Sequence, residues 1–372
     1  MVAGVALVPN WSAGAAVVND PTVDAATKAT FQRLADAVFT DRTQALVDSA
    51  HGDTERHQRT AAFSGNVRLS GTQSREEHSA LTELRGRKSR LARAGEKYSK
   101  GSTTVTLDAT QVKGRNATVD VTESTTLTYE KVKGTEPKTT GFQAHHELTF
   151  KADQQGDWQL TGIRDTDDGY LAVNQVATPS VRTPATPADD SPPEAPRAAT
   201  AWPAPAKPKN LTTGAYDYKA MVAYATKYWS HYNPDYPDFN GEADGGDCTN
   251  FVSQTLKAGG WKHVPGDGSD FHKWFGNSSI QSDSFVGVNE FSWFALSSKR
   301  VTSLADVYQL DIGDVLQMDF NKDGSKDHSM IVTYRSPQGV PYVTYHSTNT
   351  YNRSVASLVA SYPNAAYYAY RT

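Results

Sequence analysis

Cys248 is the only cysteine in the 372-residue chain. One cysteine cannot form an intramolecular disulfide, and it leaves no cysteine-rich zinc or iron–sulfur site. Two roles stay open for it: a small buried hydrophobe or a reactive thiol. Its surroundings read GGDCTNFVSQTLKAGGW. Gly245-Gly246 marks a turn, and Asp247 is a good helix N-cap rather than a proton carrier. Phe251, Val252, Thr255 and Leu256 make an apolar helical face, and Gly259-Gly260 stops the helix. Cys248 then falls in a first turn, where the macrodipole and the unpaired N–H groups favour a thiolate. The same N–H groups at Asp247-Cys248 could hold a developing oxyanion. A purely structural cysteine would more naturally sit mid-helix on the apolar face.

A thiol nucleophile needs a base, and the base needs an orienting partner. Five histidines follow residue 210: His231, His263, His272, His328 and His346. His328 begins the apolar stretch HSMIVTY, and His346 ends YVTYHS. The RSPQG between them is a turn, so the spacing predicts an antiparallel hairpin with a histidine on each strand. Either histidine alone is equally well a satisfied structural residue. Together with a first-turn cysteine they suggest a Cys–His hydrolase site.

Two further patterns lie nearby. Asp319, Asn321, Asp323, Ser325 and Asp327 are spaced like the opening ligands of a calcium loop. Met330 stands where the bidentate Glu belongs, however, and Asp323-Gly324 is itself a favoured tight turn. Calcium binding and a plain hairpin both remain open, and no cofactor is otherwise required. Among the aromatic residues, Tyr224 and Trp274 are candidates for a substrate groove, although aromatics at helical spacing are usually core.

The ordered set YA-x-KYW at Tyr224, GDCTNFVSQ-x-L-x-AGGW at Gly246, GDV at Gly313, DHSMIVT at Asp327 and YHST at Tyr345 resembles a bacterial amidase domain family. That family is related to the NlpC/P60 and CHAP cell-wall hydrolases of the papain-like clan. The resemblance covers only the part after residue 210. It implies a papain-like α+β fold, Cys248 as nucleophile, His328 as general base and acid, and His346 or Asn349 as the third residue. It also implies a secreted cysteine amidase or peptidase acting on cell-wall peptidoglycan. A general extracellular endopeptidase and a non-catalytic wall-binding module are the alternatives.

These residues need elements to position them. Residues 178–210 hold nine of the 18 prolines, which predicts an extended spacer between two domains. The part before it, residues 21–177, reads as α+β. Phe31, Leu34, Ala35, Val38, Phe39 and Leu46 share one helical face, and four alternating stretches follow, at Val105, Ala117, Gly141 and Trp158. A long helix against a curved antiparallel sheet suggests a cystatin- or NTF2-like arrangement. The seven basic residues between Arg85 and Lys100 read as a solvated helix face. His145 and His146 should point to opposite faces of a strand. Residues 211–372 carry 27 of the 38 aromatic residues, and a helix from about Asp217 to His231 opens them. Residues 1–20 end in Ala13-Gly14-Ala15 and resemble the back half of a secretory signal that lacks its basic region. The net charge of −4 offers no nucleic-acid footprint. No apolar run approaches the length of a membrane span, and nothing indicates more than a monomer.

Overall fold

The computed structural model describes residues 23–48, 68–167, 172–175, 192–207, 209–212, 214–240 and 246–372. The signal-like segment and residues 176–191 of the proline-rich stretch lie outside them. The first helix, α1 (Ala25–Gln44), starts where Asp24 accepts the Thr27 N–H, and it buries the predicted face from Phe31 to Phe39. A short strand β1 (Arg68–Leu69) leads into α2 (Gly71–Arg93). Four antiparallel strands follow: β2 (Tyr98–Lys113), β3 (Asn116–Tyr129), β4 (Thr139–Ala152) and β5 (Trp158–Asp165). Val105, Val119, Val121, Leu148, Phe150 and Leu160 pack under α1 as one apolar cluster.

The second half opens with α3 (Tyr218–Tyr228), capped by Asp217 accepting the Ala220 N–H. Next come α4 (Cys248–Ala258), α5 (Asp283–Val286), α6 (Val288–Ser297) and β6 (Thr302–Leu304). The chain then runs through β7 (Val315–Asp319), β8 (His328–Arg335), β9 (Pro341–Tyr345), β10 (Thr350–Ser354), α7 (Val355–Ser361) and β11 (Ala366–Arg371). β7 to β9 pair antiparallel, as the hairpin reading expects, and β11 pairs with β7 and β6. The two faces of this sheet carry different cores. Val315, Ile331, Tyr368 and Tyr370 pack with Phe251, Val252 and Leu256 of α4. Leu316, Met318, Met330, Val332, Val343 and Tyr345 pack with Val355 and Leu358 of α7 on the other face. Each fully buried aliphatic or aromatic side chain contributes about 2 kcal/mol by removal from water.

The two halves meet through paired strands. β5 pairs only with the His146–Ala152 end of β4, which leaves the beginning of that edge open. β10 occupies it, with Thr350 opposite Phe142 and Tyr351 opposite Gly141. Among the described residues the strands therefore form one 11-stranded sheet. Gly141 is required here, because a Cβ would lie 2.6 Å from the Tyr351 ring and 2.7 Å from the Thr125 carbonyl. An apolar cluster containing Leu84, Leu91, Leu127 and Phe142 also takes in Tyr342 and Ala360 across the seam.

The proline-rich stretch is corrected as well. From residue 192 onward it lies against the second domain: Ala198 N–H donates to Tyr367 O, Val307 N–H donates to Ala199 O, and Trp202 packs on Tyr308. Lys209 Nζ donates to the buried Asp314 at 2.7 Å. Proline prevents ladder formation but not docking, so the segment is extended and attached. The basic run on α2 is likewise only partly solvated. Arg87 is buried, donating to the Val173 and Gln175 carbonyls, and Arg90 donates to Ala360 O across the seam.

Candidate active site

Cys248 is the first residue of α4, as expected, but it is fully buried. Its Sγ lies 3.8 Å from Thr249 Oγ1, and the Ser329 N–H faces it. Burial pushes the thiol up to about 11, and the neighbouring Asp247 charge adds to the rise. The Ser329 and Thr249 donors act in the opposite direction and are outweighed by desolvation of the buried anion. The expectation of a depressed thiol is thus overturned for this state of the molecule.

Asp247 occupies the N-cap position, yet its side chain makes no capping bond. Instead its carboxylate accepts from Phe239 N–H at 3.2 Å and Asn250 Nδ2 at 2.7 Å, and its other oxygen meets His346 Nδ1 at 2.5 Å. His346 Nε2 donates to the Tyr228 carbonyl at 2.7 Å. A carbonyl can only accept, so Nε2 carries a proton. The imidazole is sandwiched between Phe251 of α4, at 4.1 Å, and Tyr232, at 4.2 Å. Asn349 Oδ1 accepts from Tyr232 OH, which places Asn349 beside this sandwich.

His328 is elsewhere. It pairs across the ladder with Met318 and lies edge-on to Tyr345, on the face that packs against α7. Ser329, one residue on, points to the α4 face, where its hydroxyl meets Thr249 Oγ1 at 2.9 Å and accepts from Gln317 Nε2. Burial, with Arg353 adding a like charge, pushes the His328 imidazolium down to about 3. His328 meets Tyr345 on one face of β8, whereas Ser329 occupies the face toward α4. The two histidines sit on opposite faces, and it is His346 that lies on the thiol's side. Period-two alternation explains this: in HSMIV the small Ser329, not His328, shares the face of Ile331 where α4 comes close. The alternation is legible in the sequence, but which face of β8 meets α4 is not.

Of the two groove candidates, Trp274 is a packing residue. Trp274 is fully buried among Trp261, Phe285 and Phe294, and its indole N–H donates to Ser253 Oγ at 3.1 Å. Tyr224 is half-buried between α3 and α4, donating to Gln254 Oε1 and accepting from Asn233 Nδ2. The loop between β7 and β8 satisfies its own backbone. Asp319 accepts from Lys322 and Gly324 N–H, Asn321 from Asp323 N–H, Asp323 from Ser325 N–H, and Asp327 from Phe320 N–H. Ser325 Oγ accepts from Asn289 Nδ2. Among the described residues no group of three or more His, Cys, Asp or Glu side chains is arranged to hold a metal. Also among them, no helix is long and apolar enough to cross a membrane.

"Uncharacterized protein YhbB" of Bacillus subtilis (strain 168) is 33% identical over 144 residues, covering 37% of this chain and 44% of that protein. "Uncharacterized protein YjcM" of the same organism is 32% identical over 147 residues, covering 37% and 32% respectively. The chain thus spans less than half the length of these relatives. Among solved structures, the intermembrane space region of chloroplast protein ARC6 aligns at 16% identity with a TM-score of 0.22. That alignment covers 39% of this chain and 98% of that one, and at such a score it carries no fold assignment. Residues 215–370 match the family model described as "Putative amidase domain", so the Cys248 site lies within a span similar to amidases.

Proposed function

We propose that the C-terminal domain is an amide hydrolase that works by acyl transfer through Cys248. One observation carries the reading. The chain's lone thiol opens a helix beside a histidine–aspartate pair, inside the span that matches the amidase model. In this reading His346 is the imidazole that serves Cys248, and Asp247 orients it. For this, His346 gives up its Nε2 proton and its bond to the Tyr228 carbonyl while Nδ1–H stays on Asp247, and Nε2 then takes the thiol proton as the sulfur attacks the amide carbonyl. The N–H groups of the first turn of α4 hold the oxyanion that forms. The imidazolium returns the proton to the departing amine, and water then hydrolyses the thioester with His346 again as base.

The family likeness suggests an exported enzyme acting on cell-wall peptide amides, and we take peptidoglycan as the substrate to test. The test is turnover by the full chain on purified peptidoglycan, with the released fragments mapped by mass. Cys248→Ala is expected to abolish hydrolysis, and His346→Ala to lower kcat by about 10²-fold or more. His328→Leu, on the opposite face, is expected to stay within about tenfold of the parent. Full activity in Cys248→Ala removes the proposal. Loss in His328→Leu equal to that in His346→Ala, with Tm maintained, returns the base to His328.

A further inference from the structure

We propose that residues 232–240 form a strap closing the Cys248 site, and that the N-terminal domain holds this strap shut. The proposal takes from the preceding section only that Cys248 is the thiol to be reached. The strap leaves α3, turns at Asn233 and lies against the start of α4. Asn250 Nδ2 donates to Pro237 O at 3.0 Å, and Phe239 N–H donates to Asp247. Cys248, between Asp247 and Asn250 in the chain, is inaccessible to solvent. The far end of the strap is tied directly to the other domain, and the near end is tied to it through Asn349. At its far end Asn240 Nδ2 donates to Asp167 Oδ1 at 3.1 Å. Asp167 follows β5 and is itself gripped by His145, through the backbone N–H and Nδ1, each at 2.8 Å. At its near end Tyr232 OH donates to Asn349 Oδ1 at 3.0 Å, and the Asn349 carbonyl accepts from Gln143 N–H of β4 at 2.9 Å.

The seam that merges the two sheets therefore also anchors both ends of the segment over the thiol. A substrate amide can reach Cys248 only if the strap lifts. Lifting it breaks bonds to the N-terminal domain, so whatever loosens that domain opens the site. The N-terminal domain is a built-in brake in this arrangement.

The lone cysteine makes the test direct, because every alkylation event reports on Cys248. Iodoacetamide labelling of the full chain at pH 8 is compared for wild type, Asn240→Ala and Asp167→Ala, with Cys248→Ser as the blank. Both variants are expected to label at least about tenfold faster, the size of effect one or two broken hydrogen bonds would have. Their Tm should stay within about 3 °C of wild type. Labelling within about twofold of wild type overturns the brake. So does acceleration that only tracks a fall in global stability, read from its dependence on urea. The readout is independent of catalysis. Faster labelling without turnover on any amide keeps the strap and removes the amidase reading, and turnover with unchanged labelling does the reverse.

Discussion

At the scale of single residues, environment overrides position. Cys248 has the helix-start location that favours a thiolate, but complete burial raises it to about 11. Its alkylation rate is therefore expected to keep rising close to tenfold per pH unit through pH 10, not to level off near neutrality. A plateau by pH 8 would show a thiol already activated. His146 illustrates the opposite balance. Its two nitrogens meet Asp165 at 2.8 Å and Glu123 at 3.3 Å, and although burial pulls it down, the carboxylates raise it to about 9. Because the folded value exceeds the ordinary one of 6.5, the stabilisation is complete below pH 6.5 and is lost as pH rises through 9. The full effect is roughly 3 kcal/mol. Tm should fall between pH 6.5 and 10, and in His146→Gln that part of the fall should vanish.

At the scale of elements, local signals read well where one residue sets a boundary. Asp217 caps α3, Gly259 ends α4 and RSPQG turns the β8–β9 hairpin, all from short-range chemistry. What failed was the assignment of faces and surroundings. Trp274 lies in a stretch with Gly276 and Asn277 and few regular elements, which reads as surface. Backbone bridges from Val264 to Trp274 and from Gly276 to Gln281 fold that stretch back on itself and bury the ring. Trp274→Ala is expected to destabilise the fold by about 3–5 kcal/mol, measured by urea denaturation, and to leave KM unchanged if activity is retained. A change in KM without loss of stability would restore Trp274 to the groove. His328 and His346 fall under the same lesson: the hairpin was legible, but which histidine meets α4 depended on strand phase.

At the scale of the whole molecule, composition suggested two domains and an extended spacer; the described strands of both halves join in one sheet, and the described part of the spacer lies against it as an arm. Lys209 shows how firmly the arm is held. Its ammonium is shielded and contacts Asp314, the Ile312 carbonyl and Thr372 Oγ1. Asp314 has no exposure to solvent and is shared with Arg371 at 2.8 Å. Lys209→Ala leaves Asp314 half-compensated and should cost about 2 kcal/mol, read as a lower urea midpoint, with the larger loss at pH 7 than at pH 4, where the carboxylate can protonate. An unchanged midpoint would mean the arm is dispensable to the fold.

By itself the amino-acid sequence determined the turn between β8 and β9, the α1 core face, the placement of Cys248 at a helix start and the resemblance of residues after 210 to amidases. These depend on residues within about one helical turn or strand of each other. Only the tertiary structure decided that His346 with Asp247, not His328, lies on the thiol's face, and that β10 completes the edge of β4. It likewise decided that the strap over Cys248 is tied to the N-terminal domain. Those outcomes turn on which edges and faces remain open once every element is placed, and on burial, which can reverse what a residue's local position favours.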